Sequence, residues 1–258
     1  MTNSPINYST IQLFNYTLQQ ADTCLILGQR LAEWCGHGPI LEQDIAMTNI
    51  SLDLIGQARM LYQYAAEIEG EGKSEDDIAY LRHEAEYRNA LLVEQPNGDF
   101  GQTILRQFLF DSYNCYFYEA LMNSSDERLA AIAAKAHKET LYHLKWSGDW
   151  MIRLGDGTEE SHERMENALS ELWSYSGELT IPVEAELTAQ KEGYGVDMEA
   201  IKIKRNQKIK VIFEEATLAI PESDFSHLGG KDGKHTEQLG YILADLQFMQ
   251  RAYPGNEW

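Results

Sequence analysis

Helix breakers are rare in this chain, and their scarcity constrains its fold more than any other feature of the sequence. Six prolines occur among 258 residues, at positions 5, 39, 96, 182, 221 and 254. Most of the segments between them repeat apolar residues with a period near 3.6, which is typical of amphipathic helices. Strand signals are weak, and residues 181–183 and 219–221 are extended at most. The pattern therefore predicts an all-α protein.

The periodic segments also predict how the helices are organised. Long helices joined by short loops favour an antiparallel bundle with extra flanking helices. No repeat and no shift in composition divides the chain, so we expect one domain over residues 1–258. The predicted helices span residues 9–36, 41–70, 74–93, 102–123, 126–155, 159–177, 197–218 and 235–252.

Composition narrows the range of partners. The formal net charge is -20, from 41 acidic and 21 basic side chains, and this charge repels phosphate backbones and anionic lipid. We therefore expect neither nucleic acid nor a membrane as a partner. Residues 1–10 lack the features of a signal peptide, and no apolar run is long enough to cross a bilayer, which predicts a cytoplasmic protein. The cysteines Cys24, Cys35 and Cys115 lack metal-binding spacing and are expected to be small buried hydrophobes.

Polar residues interrupt the core-facing stripes of three predicted helices. Asp111 lies in the middle of the stripe of helix 102–123, Thr140 and His143 lie in that of helix 126–155, and Gln57 lies in that of helix 41–70. Helical bundles build internal metal sites in this way, typically from a Glu on each of two helices and a Glu-x-x-His on each of two others. Of these four residues, Asp111 and His143 alone are good ligands. Two ligands are too few for two irons, so we predict no metal and no catalytic residue here.

Five stretches of the sequence carry a resemblance to a known family. They are LILGQRLAEWCG (25–36), NISLDLIGQAR (49–59), LVEQPNG (92–98), KETLYH (138–143) and GGKDGKHTEQLG (229–240). Over essentially its whole length the chain resembles the C subunits of bacterial phenylacetyl-CoA epoxidases, which are multicomponent oxygenases of aerobic phenylacetate breakdown. The resemblance implies a ferritin-like fold and a role as the structural companion of a homologous, iron-carrying A subunit.

The resemblance also shows where the metal ligands of the catalytic subunit would fall in this chain. Laid on this sequence, they correspond to Leu25, Leu54, Gln57, Asp111, Thr140 and His143. Four of these six positions bind iron poorly or not at all, so the resemblance implies a vestigial site and no cofactor on this chain. The di-iron centre is expected on the partner, and NADPH, FAD and an iron–sulfur cluster on a separate reductase. Self-association and contacts with further subunits stay open.

Other interpretations of the polar residues are possible beside this one. Asp111 fits a buried acid that is hydrogen-bonded to His143, Thr140 or Tyr142, and Gln57 fits a hydrogen-bonded filler of the core. A different class of function is a stand-alone ferritin-like metal-binding protein or oxygenase. It would use Asp111 and His143 together with further acids, such as Glu42, Glu84, Glu119 or Glu139.

A basic segment stands out on this acidic chain. Residues 201–210 hold five basic side chains, namely Lys202, Lys204, Arg205, Lys208 and Lys210. They suit a contact with a CoA phosphate or with an acidic partner, and a solvated helix face is the alternative. A homodimeric module that binds an acyl-CoA is a further hypothesis. The loop 229–234 resembles a phosphate-binding loop only superficially, and Trp258 is a candidate for contact with a partner.

Overall fold

The computed structural model describes residues 8–223 and 225–256, and the regular secondary structure of these residues is helical. Trp258 lies outside the described residues. No strand occurs within the described ranges, so the all-α prediction is confirmed. The α-helices are α1 (Tyr8–Ala32), α2 (Leu41–Glu69), α3 (Glu75–Tyr80), α4 (Leu91–Glu94), α5 (Phe100–Leu121), α6 (Glu127–Gly155), α7 (Glu159–Ser176), α8 (Glu184–Glu192), α9 (Met198–Glu215), α10 (Glu237–Leu246) and α11 (Phe248–Ala252).

The four longest helices form a bundle of the ferritin-like type. Helix α1 pairs with α2, α5 pairs with α6, and contacts between α2 and α6 join the two pairs. Helices α7 and α9 pack over α5, and α8 packs on α1. One continuous cluster of buried apolar side chains runs through the bundle and its flanking helices. Among the described residues, no helix is long and apolar enough to span a membrane.

The predicted helix over residues 74–93 is wrong, because the chain leaves the helical path there. The structure has the short helix α3, a 3-10 turn at Glu84–Glu86 and the single turn of α4. The cause is Asp22, a fully buried acid on α1. Its carboxylate accepts hydrogen bonds from Nη1 of Arg82 at 3.0 Å and from the backbone N–H of Arg88 at 2.8 Å. That backbone N–H is therefore used for a tertiary contact instead of a helical hydrogen bond.

Helix α8 was not predicted, although its sequence carries standard helix signals. It begins two residues after Pro182, and Oε2 of Glu186 accepts the backbone N–H of Val183 at 2.9 Å. Its C-cap is Gly193, whose φ of 87° is the left-handed conformation that favours glycine. The cysteine prediction holds for Cys24 and Cys115, which are buried. It is wrong for Cys35, which is exposed because α1 ends three residues earlier.

The loop 229–234, which resembles a phosphate-binding loop, encloses the side-chain carboxylate of Glu178. Glu178 is buried, and its Oε1 accepts the backbone N–H groups of Gly229 at 2.7 Å and Gly230 at 2.8 Å. Its Oε2 accepts the backbone N–H of Leu91 at 2.6 Å. A Cβ at Gly230 would lie 2.4 Å from the carbonyl oxygen of Asn89, so the loop needs glycine there to approach so closely. The loop is thus a structural clasp between the C-terminal region and the bundle.

A buried ion pair adds to the clasp. Nζ of Lys231 lies 3.0 Å from both carboxylate oxygens of Glu186, and both side chains are almost completely buried. The ammonium also donates to the carbonyl oxygen of Ile181 at 3.2 Å. Because the charges are paired and hydrogen-bonded, their burial is tolerated, while loss of either partner would leave an isolated buried charge.

His235 closes the clasp through both of its ring nitrogens. Nδ1 lies 3.1 Å from Oε2 of Glu94, and Nε2 lies 3.0 Å from the carbonyl oxygen of Tyr87. Both neighbours are acceptors, so this arrangement favours the ring form in which both nitrogens donate. Burial lowers the pKa of His235, but the hydrogen bond and attraction to Glu94 outweigh this, and the pKa is raised above its ordinary value.

Replacement of His235 by Gln is expected to destabilise the protein most at low pH. A histidine whose pKa is raised by folding stabilises the folded state at a pH below its pKa in the unfolded chain, which is about 6.5. This stabilisation is lost as the pH rises through the pKa in the folded state. At pH 6 the His235→Gln variant should lose about 1–3 kcal/mol of unfolding free energy, and the loss should shrink by pH 9. Urea denaturation at both pH values measures it, with the exposed His37→Gln as control. A loss that grows with pH would contradict the assignment.

Candidate functional site

The six positions that correspond to metal ligands in the resemblance all lie inside the bundle. They are distributed over α1, α2, α5 and α6, which correspond to the four predicted helices that contain them. The relative exposure is 4% for Leu25 and 0% for Leu54, Gln57, Asp111, Thr140 and His143. The polar members, together with the buried Ser147 on α6, are called the polar seam below.

Asp111 is hydrogen-bonded on both of its oxygens. Nε2 of Gln107 donates to Oδ1 at 2.7 Å, and Oγ of Ser147 donates to Oδ2 at 2.8 Å. The expected hydrogen bond to His143, Thr140 or Tyr142 is therefore wrong. Gln107 lies one turn before Asp111 on α5, and Ser147 lies on the facing helix α6, so both reach the carboxylate. Burial raises the pKa of Asp111 to about 6, against the opposing effects of His143, Ser147 and Gln107.

His143 is bonded to an acid that the sequence reasoning did not consider. Its Nε2 lies 3.0 Å from Oδ2 of Asp53 on α2. The imidazole is fully buried, whereas the Asp53 side chain is 38% exposed. Since a carboxylate only accepts, Nε2 is a donor. Nδ1 has no hydrogen-bond partner among the described residues. The one feature of the sequence that could have identified this partner was the position of Asp53, beside Leu54 and one turn before Gln57.

Gln57 and Thr140 complete the polar seam without serving as ligands. Nε2 of Gln57 donates to Oε2 of Glu139 at 2.9 Å, and its Oε1 faces the thiol of Cys24 at 3.8 Å. Burial raises the pKa of the Cys24 thiol to about 12, so it stays protonated. Thr140 donates to the carbonyl oxygen of His137 on its own helix at 3.1 Å. Gln57 therefore acts as the hydrogen-bonded filler expected of it.

The donor set of the polar seam does not fit a dinuclear metal centre. Leu25 and Leu54 offer no donor atom, and both oxygens of Asp111 already accept hydrogen bonds. Two irons need several anionic ligands to balance their charge. Within residues 8–223 and 225–256, no group of three or more His, Cys, Asp or Glu side chains is arranged to hold a metal ion.

The further acids considered for a metal site mostly lie elsewhere. Glu42 and Glu84 are exposed. Glu119 is bound to Nζ of Lys204 at 2.7 Å, on the outside of the molecule. Glu139 reaches the polar seam, where it accepts the hydrogen bond from Gln57. The arrangement therefore joins helices through side-chain hydrogen bonds.

The basic segment does not form one uniform cationic surface. Lys202, Lys204 and Lys210 are exposed on α9, and Lys208 is half-buried. Arg205 is buried against the rest of the protein and is only 4% exposed. Its Nε and Nη2 atoms have no hydrogen-bond partner among the described residues, and burial lowers the pKa of Arg205 to about 10. Arg205 is thus not available to bind a phosphate at the surface.

Comparisons with known proteins show to which family the chain belongs. The family model described as phenylacetic acid catabolic protein matches residues 1–258. A curated relative, the C subunit of 1,2-phenylacetyl-CoA epoxidase from Escherichia coli (strain K12), is 47% identical over 247 residues. The aligned region covers 96% of this chain and 99% of the relative.

Replacement of Asp111 by Asn is expected to change how stability depends on pH. The folded pKa of about 6 lies above the ordinary value of 3.8, so the acid favours folding less as the pH rises between these values. Relative to Asp111→Asn, the wild type should lose roughly 2 kcal/mol of unfolding free energy between pH 4.5 and 7.5. The Gln107 amide has an unpartnered Oε1 that can turn to accept from the new Asn. Urea denaturation is the measurement, and the exposed Asp245→Asn should show no such difference.

Replacement of Arg205 by Met is expected to stabilise the isolated chain. A buried cation without a partner is unfavourable, and apolar replacements of buried charges are neutral or stabilising by about 1–4 kcal/mol. Thermal and urea unfolding test this, with the exposed Lys202→Met as a control that should stay within about 0.5 kcal/mol of wild type. A loss of more than about 1 kcal/mol in Arg205→Met would show that the guanidinium is stabilised within the chain.

Proposed function

Because the chain belongs to the family of phenylacetic acid catabolic proteins, we propose that it is the structural, non-catalytic C subunit of a phenylacetyl-CoA epoxidase. The relative that has this name matches nearly the whole chain. The observation that carries the proposal is the chemistry of the polar seam. Four of the six positions that correspond to metal ligands hold leucine, glutamine or threonine, and Asp111 is already satisfied by side chains.

The residues of the seam take over the mechanical role that a metal centre has in such a bundle. The hydrogen bond from Ser147 to Asp111 joins α6 to α5. The pairs His143–Asp53 and Gln57–Glu139 join α6 to α2. These cross-links hold the helices in register without an ion. The chain would thereby provide a rigid surface against which a catalytic partner keeps its own geometry.

The partner in this proposal is a homologous catalytic A subunit that holds the di-iron centre. Iron, NADPH, FAD and iron–sulfur chemistry would belong to that subunit and to a separate reductase, with none on this chain. We place the complex in the cytoplasm, and the free thiols of Cys24, Cys35 and Cys115 support a reducing compartment. One domain over residues 1–258 belongs to the same proposal, and the continuous apolar cluster supports it.

The exposed lysines of α9 are included in the proposal as a contact for an acidic partner or for CoA phosphates. Lys202 and Lys210 are exposed, and Lys208 is half-buried. On a chain with a net charge of -20 this segment is locally cationic. Lys204 is less available, because it already pairs with Glu119 at 2.7 Å. Long-range attraction of an acidic partner would therefore act mainly through the other lysines.

Co-expression with the homologous catalytic subunit from the same genome tests the proposal. The two chains should purify together, and phenylacetyl-CoA should be epoxidised only when both are present with the reductase and NADPH. Elemental analysis should assign the iron to the partner. Asp111→Asn and His143→Gln in this chain should leave the iron content of the complex unchanged. Two irons in the isolated chain, lost in these variants, would instead favour a stand-alone metalloprotein.

A further inference from the structure

Arg205 differs from the other buried cationic side chains of the described residues. Those others donate hydrogen bonds within the chain, namely Arg30 to Glu33 at 3.1 Å, Arg106 to the carbonyl oxygen of Gln95 at 2.6 Å and Lys231 to Glu186 at 3.0 Å. Arg205 is 4% exposed, and its Nε and Nη2 atoms have no partner among these residues. Burial lowers the pKa of Arg205 to about 10, so the guanidinium still carries its positive charge at neutral pH.

The two unpartnered nitrogen atoms belong to one edge of the guanidinium. In this planar group, Nε–H and the adjacent N–H of Nη2 point to the same side and form a two-donor fork. A single acceptor in front of this edge can therefore receive both hydrogen bonds. Both atoms are buried, and Arg205 lies between Ile201 and Ile209 on the buried face of α9. This helix packs on α5, on α6 and on the 3-10 turn Gly177–Thr180, so the fork lies inside the protein.

The acids on α5 and on the 3-10 turn bind other groups. Glu119 on α5 pairs with Nζ of Lys204, directly before Arg205, at 2.7 Å. Asp111, the other acid of α5, accepts hydrogen bonds from two neutral side chains. Glu178 on the turn accepts three backbone N–H groups. These acids leave the charge of Arg205 without a counterion from the elements that pack against it.

We propose that the Nε–Nη2 edge of Arg205 binds a small monovalent anion of the size of chloride inside the protein. A water molecule could accept both hydrogen bonds, but it would leave a buried positive charge uncompensated, which is costly away from solvent. An anion satisfies the donors and neutralises the charge. Since Arg205 is only 4% exposed, a monatomic anion suits the site better than a larger one.

The local charge of α9 favours entry of an anion. The chain as a whole has a net charge of -20, but residues 201–210 hold five basic side chains and no acid. Lys208 lies one helical turn after Arg205, is half-buried and lowers the pKa of the Cys115 thiol on α5 against the larger effect of burial. A second positive charge therefore acts at the contact between α9 and α5. The site would be present in the isolated chain, so it does not depend on the proposed function.

Chloride should stabilise the wild-type chain through this site. Urea unfolding is measured at constant ionic strength while sodium chloride replaces sodium gluconate, whose anion is too large for the site. With a Kd of about 20 mM, the unfolding equilibrium constant should fall about tenfold at about 200 mM chloride. Arg205→Met should lose this chloride dependence. The matched control on the same helix is the exposed Lys202→Met, which should keep it.

Bromide locates the site directly in crystals of the wild-type chain. Bromide replaces chloride at halide sites, and its anomalous scattering distinguishes it from water. A bromide peak within hydrogen-bond distance of both Nε and Nη2 of Arg205 is the expected result. Crystals of Arg205→Met should lack this peak. The wild-type crystals test the location even if the variant fails to fold.

Each outcome decides for or against the site. A bromide peak at the fork, together with a chloride dependence that Arg205→Met loses and Lys202→Met keeps, supports it. A water molecule or no peak at the fork overturns it. Equal chloride dependence in wild type and Arg205→Met also overturns it, and a bromide peak accompanied by that result would mean an adventitious ion only.

Discussion

The arrangement of the bundle depends on the hydrogen bonds that the buried carboxylate of Asp111 accepts in its middle. Asp111 receives one hydrogen bond from its own helix, through Gln107, and one from the facing helix, through Ser147. An acid in this position could serve a metal or could join two helices. Since neutral donors already occupy both of its oxygens, it joins helices here, and burial without a full countercharge raises its pKa.

The same constraint explains why the rest of the seam is polar at all. An apolar seam would pack as well, yet Gln57, Thr140 and His143 remain in a core that is otherwise aliphatic and aromatic. Each has its hydrogen bond within the described residues, and the bonds of Gln57 and His143 cross from one helix to another. Such pairs fix the register of the helices more strictly than apolar contacts do. Register is what a supporting subunit must keep.

Sequence reasoning predicted the long helices and the burial of the six seam positions inside the bundle, because both follow from helical periodicity. It failed where a distant residue decided the outcome. The predicted helix over residues 74–93 is broken by Asp22, which lies more than fifty positions earlier in the chain. The partner of His143 is Asp53, which the helical period alone could not select. Arg205 was counted among surface cations because its type favours exposure, but its position on α9 buries it.

Two buried acids of this chain bind groups that could otherwise bind an anion from solution. Glu178 fills the N–H groups of the loop that resembles a phosphate cradle, and Glu186 neutralises Lys231. Within the described residues these acids thus satisfy, from inside the chain, backbone N–H groups and a buried ammonium that an external anion could otherwise bind. Some buried polar atoms of the described residues stay without a hydrogen-bond partner, among them Nδ1 of His143 and Nε and Nη2 of Arg205. Asp53, whose side chain is 38% exposed, joins the exterior to the seam through His143.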